Sequence, residues 1–146
     1  MENKDLNLEV LDEINKGSTM GMDAISYVLG KIEDEKFKEV LDIEYNKYKK
    51  ISQRVIELYP NYSDDDPKET NPMTKMMSWY GIQMKTITDT SNSKISELLM
   101  QGTNMGIIKG RQLINQNPNV DDSIKGILHD FVTMQEDSIE TLKKYL

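Results

Sequence analysis

Apolar residues recur in alternating steps of three and four along most of this chain. That spacing admits long amphipathic helices and excludes the two-residue period of a half-buried strand. Leu11, Ile14, Ser18, Gly21, Ile25, Val28 and Ile32 form one such seam, and Phe37, Leu41, Glu44, Tyr48, Ile51, Val55 and Leu58 a second. Ile124, Leu128, Phe131, Gln135, Ser138, Leu142 and Tyr145 repeat the pattern near the end. The seams and their punctuation predict four long helices, over about 5–31, 34–59, 93–116 and 121–144. Pro60 stops the second helix and Pro118 the third; Ser93, with Glu97 nearby, opens the third, and Asp121 or Asp122 caps the fourth.

Between the second and third long helices lies a polar stretch from Asn61 to Asn71, then a shorter helix predicted over about 72–89. Asn71 is its expected cap and Pro72 suits its first turn. Met73, Met76, Met77, Tyr80, Met84 and Ile87 give it an apolar stripe, with Trp79 at the edge. The other turns are short, so the long helices pair as two antiparallel hairpins. The connector of about 33 residues can run the whole length of a helix, roughly 40 Å at about 1.5 Å per residue. The expected fold is therefore all-α, a single domain over residues 1–146. It is an antiparallel four-helix bundle with one long crossover carrying an extra short helix, as in ferritin-like folds.

An internal repeat agrees with two related hairpins. Lys16-Gly17-Ser18-Thr19-Met20-Gly21-Met22 matches Gln101-Gly102-Thr103-Asn104-Met105-Gly106-Ile107 at a constant offset of 85. Gly110 extends the second series by one more step of four. An interior glycine costs a helix about 1 kcal/mol relative to alanine, so two matching series need a reason. Gly17, Gly21, Gly102, Gly106 and Gly110 are expected to be close-packing positions that let the first and third long helices approach. A small central cavity is the alternative.

Chemistry is constrained by what is missing. The chain has one His and no Cys, which removes disulfides, thiolate metal sites and cysteine nucleophiles. Its net charge of -7 argues against nucleic acid, because phosphate contacts need a basic patch. No apolar run approaches the roughly 20 residues that cross a bilayer, and no secretory leader opens the chain, so a cytoplasmic protein without membrane insertion is expected. A di-iron bundle needs inward carboxylates on all four helices and two Glu-x-x-His pairs. Only Glu44 is an acid on a seam, and three positions on stands Lys47. Ser18, Thr103, Tyr48 and Gln135 are its expected hydrogen-bonding partners in a central polar cluster. His129 lies on the flank of the last seam, and no catalytic, cofactor or metal residue is assigned. The acidic run Asp64-Asp65-Asp66 reads as solvated loop.

The segment from Leu8 to Ala24, with Ile14-Asn15-Lys16, Gly21 and Ala24, resembles the opening helix of a bacterial ferritin-like family of rubrerythrin type, itself of unknown function. The resemblance continues at Trp79 and Lys85, and at Ile95, Leu98 and Gly102. It implies a ferritin-like bundle. Typical members carry a Glu soon after the glycine of the third long helix and a His late in the fourth. This chain has Thr103 and Glu136-Asp137-Ser138 there, so the resemblance implies a bundle without its di-iron ligands. The expected role is non-enzymatic: a metal-free bundle, a homodimer, with a structural or protein-interaction function. The alternatives are a degenerate metal-binding or oxidoreductase protein and a small-ligand carrier using the glycine-lined centre.

Overall fold

The computed structural model describes residues 3–69 and 79–146. Four long helices dominate: α1 (Asn3–Leu29), α2 (Glu35–Leu58), α4 (Asn92–Gln116) and α5 (Asp122–Lys143). The short α3 (Trp79–Lys85) lies between α2 and α4, and a single 3-10 turn (Tyr59–Asn61) follows α2. No strand occurs among the described residues.

The seams become the core. Leu11, Ile14, Val28, Phe37, Leu41, Val55, Ile124 and Leu128 are essentially inaccessible to water. Burying such a side chain contributes about 1.5–3 kcal/mol, so this shared apolar stripe is what holds the helices together. α1 packs along α2 and α4 along α5; α1 also meets α4 and α5, and α2 meets α5. Phe37 and Tyr145 close one end of the core with rings 4.7 Å apart.

Polar contacts fix the helix ends. Asp34 caps α2, its carboxylate accepting from the N–H groups of Lys36 and Phe37, while its other oxygen accepts from Asn92, the first residue of α4. Those bonds hold the Asp34 carboxyl below its ordinary range, the Asn92 contact most of all. At the opposite ends of these helices, the Tyr62 hydroxyl donates to Asp121, and the Asp121 N–H donates to Asn7 in α1.

Several boundaries differ from those expected. α1 stops at Leu29 rather than residue 31. The third long helix starts at Asn92 because Ser91, not Ser93, accepts from the Lys94 N–H. Asp121 stands at the N-cap of α5, but its carboxylate is taken by Tyr62 instead of a helix N–H. α3 ends at Lys85 rather than 89; Thr86 turns its hydroxyl back onto the Ile82 carbonyl at 2.8 Å. In α3, Tyr80 and Met84 are buried. The expected cap Asn71, Pro72 and the stripe members Met73, Met76 and Met77 lie outside the described residues, as does the side chain of Trp79.

Candidate functional site

The matched glycines of α1 and α4 line one cavity of about 290 Å³, with walls from all five described helices. Gly17 and Gly21 form part of the α1 wall, and Gly102 and Gly106 part of the α4 wall. Met20 and Met105, which also correspond in the repeat, line it as well. Most of the lining is apolar, with Ile25, Leu41, Leu99 and Leu142 among the contributors. For scale, a cavity of about 150 Å³ holds benzene, so this one accepts a molecule of roughly twice that size.

The atoms that stand nearest to these glycines belong to side chains, where the spacing predicts a facing helix backbone. In each case the space a Cβ would take is claimed by a side chain. Phe131 enters the notch at Gly17, Tyr48 that at Gly21, Tyr80 that at Gly102, Gln135 that at Gly106 and Val132 that at Gly110. Gly21 and Gly106, equivalent in the repeat, each take a side chain from the second helix of their own hairpin. Gly17 and Gly102 depart from that symmetry, taking Phe131 from the other hairpin and Tyr80 from α3. Two helices with missing side chains thus face bulky neighbours, and the fit leaves room between them.

The polar wall is built from α2, α4 and α5. Glu44 is 3% exposed, yet both its oxygens are engaged. Lys47, one helical turn on, donates to Oε1 at 3.1 Å, and the Ser138 hydroxyl donates to Oε2. Lys47 keeps its own head partly in water, with its side chain 39% exposed. Tyr48 and Thr103 stand together on this wall, and the Thr103 hydroxyl donates to the Leu99 carbonyl at 2.8 Å. Burial pushes the Tyr48 hydroxyl up to about 12. Burial likewise raises Tyr80. At the rim, Glu13 accepts from Lys16 at 3.3 Å and faces Lys109 at 4.0 Å.

Of the expected polar cluster, Glu44, Tyr48, Thr103 and Gln135 line the cavity. The expected bonds from Ser18, Thr103, Tyr48 and Gln135 to Glu44 are replaced by those from Lys47 and Ser138. Thr103 spends its proton on its own helix, and the Gln135 amide nitrogen turns to the Phe131 carbonyl. Ser18 is fully buried, is not at the cavity wall, and its hydroxyl has no hydrogen-bond partner among the described residues. His129 is exposed. Lys47 stands at the i+3 spacing at which a helix brings opposite charges together, and that spacing was the available signal for it.

These donors do not fit a di-iron centre of the ferritin-like type. Glu44 brings one carboxylate, already held by an ammonium and a hydroxyl, and its neighbours in the wall are hydroxyl, amide and glycine. Among the described residues, no three His, Cys, Asp or Glu side chains converge as metal ligands would.

A second polar cluster, not foreseen from the sequence, lies nearer the start of α1. Asp12 accepts from the Tyr59 hydroxyl at 2.8 Å and from the Lys68 N–H at 2.9 Å. Asn15 accepts from Ser52 at 2.8 Å and donates to the Lys68 carbonyl at 3.1 Å. Together they pin the segment after α2 onto α1. No described helix is long and apolar enough to cross a membrane. The chain matches no family profile, no curated protein and no solved structure.

Proposed function

We propose that this protein is a metal-free ferritin-like bundle that binds a small molecule in its centre. The observation that carries this reading is the cavity of about 290 Å³ between two glycine-bearing helices, where a fold built only for stability would close up. The ferritin-like topology rests on the helix ends. The Asn92–Asp34 bond supports α2 and α4 starting at the same end, and the Tyr62–Asp121 bond supports α2 ending where α5 begins. α2 and α4 then run parallel, as the one-crossover topology requires. The glycines shape the cavity walls by seating rings and an amide that any larger residue at those positions would displace.

A neutral apolar probe of one or two rings, such as indole or naphthalene, tests the reading by fluorescence or calorimetric titration. Saturable binding at one equivalent is expected. Ala24→Leu, which narrows the cavity from the α1 wall without removing a side-chain hydrogen-bonding group, should weaken it while helical circular dichroism is retained. Absence of saturable binding would return the protein to a purely structural or protein-interaction role.

A further inference from the structure

We infer that the cavity selects a small organic amine, an ammonium group carried on an apolar body, with Glu44 as its counter-ion. The inference rests on the ligand-binding reading above and names the chemistry of that ligand.

The polar wall is rich in acceptors. Glu44 offers lone pairs beyond the two engaged by Lys47 and Ser138, since an ionised carboxylate can accept about four hydrogen bonds. The Thr103 hydroxyl is committed to the Leu99 carbonyl, and the Tyr48 hydroxyl on the same wall carries acceptor lone pairs of its own. The Gln135 amide nitrogen is turned to its own helix, while its oxygen sits in the Gly106 notch. An ammonium brings three donors and no acceptor, an alcohol one donor, and a carboxylate none. The match to this wall falls in that order.

Charge points the same way. The charged residues lining the cavity are Glu13, Lys16, Glu44 and Lys109. Both lysines face Glu13 at the rim, leaving Glu44 as the charge beside the buried polar wall. Its present partner Lys47 lies half in solvent and can swing outward, so an incoming ammonium replaces one cation with another and leaves no carboxylate unpaired. Tyr48, Tyr80 and Phe131 also line the space and present ring surfaces, which attract cations and accept an apolar body. The net charge of -7 favours approach of a cation over an anion.

Calorimetric titration of the full chain at neutral pH with phenethylamine, phenethyl alcohol and hydrocinnamate separates the possibilities, because the three share a body and differ at the head. The amine should bind roughly tenfold or more tightly than the alcohol, and the acid weakest. Glu44→Gln should bring amine and alcohol to equal affinity, with its melting curve as the fold control. Lys47→Gln should tighten the amine by removing its competitor. Alcohol binding as tight as the amine, or tightest binding by the acid, would overturn the amine assignment and leave the cavity as a binding site. Failure of all three ligands to bind while indole or naphthalene binds would overturn the amine assignment alone, and failure of those neutral probes as well would overturn the ligand-binding reading with it.

Discussion

Gln135 lays its side-chain oxygen where a Cβ of Gly106 would stand, 1.9 Å from that ideal position. Substituting alanine there sets two effects against each other. The helix gains about 1 kcal/mol in propensity. The added carbon must expel Gln135 from its notch, and overpacking of this kind costs about 1–3 kcal/mol. A net loss is expected for Gly106→Ala in urea denaturation, partly recovered by Gln135→Ala in the same chain. Gly126 provides the contrast. It lies exposed within α5, with nothing within 4 Å of the added carbon, so Gly126→Ala should stabilise by about 0.5–1 kcal/mol.

The bonds at Glu44 predict an ordering of three variants. Ser138→Ala removes the donor to Oε2 from a carboxylate that stays buried, and an orphaned buried acceptor costs about 1–3 kcal/mol. Glu44→Gln keeps an acceptor for Ser138 and frees Lys47 to water, so its cost should be smaller. Lys47→Gln leaves the carboxylate with a neutral neighbour and should fall between them. Equilibrium denaturation of the three proteins checks the order.

Asp12 and Tyr59 predict a coupling. Asp12→Ala leaves both the Tyr59 hydroxyl and the Lys68 N–H without this acceptor, at a cost of about 1–3 kcal/mol. In a Tyr59→Phe background the same change should cost less, because the hydroxyl it would have orphaned is gone. The Lys68 backbone loses an anchor in either background, so trypsin should cut after Lys68 faster in both Asp12 variants than in their parents.

The core was legible because it is periodic. Ile25 and Val28, or Phe131, Gln135 and Ser138, are buried where steps of three and four put them. Even the buried polar positions on those seams could be read off. Their partners could not. Glu44 pairs with Ser138 from another helix, 94 positions away, a relation fixed by how two helices dock. The glycine series was visible, but a four-residue spacing describes a flat ridge and does not say whether a backbone or a ring will lie on it. Phe131 and Tyr80 fill the notches at Gly17 and Gly102 because of the tertiary arrangement alone. Asp12 and Asn15 escaped notice because their burial depends on where the segment after α2 runs. The start of α4 was ambiguous for a local reason: Ser91 and Ser93 are both competent caps, and backbone geometry chooses between them.

The buried tyrosines set an alkaline limit. Burial pushes Tyr48 up to about 12, and Tyr59 reaches about 12 through burial and its bond to Asp12. An unfolded tyrosine ionises near its ordinary value of 10. The folded state therefore holds these protons more tightly than the unfolded state. That preference contributes stability in full below about pH 10 and is lost as pH rises from there toward about 12. Melting temperature should accordingly hold up to the start of that window and fall through it. In tyrosinate absorbance of the native protein, Tyr48, Tyr59 and Tyr80 should ionise late, together with unfolding. Tyr59→Phe should reduce the late amplitude and flatten the loss of stability across the window. A single early tyrosinate rise without unfolding would mean that these hydroxyls are open to water.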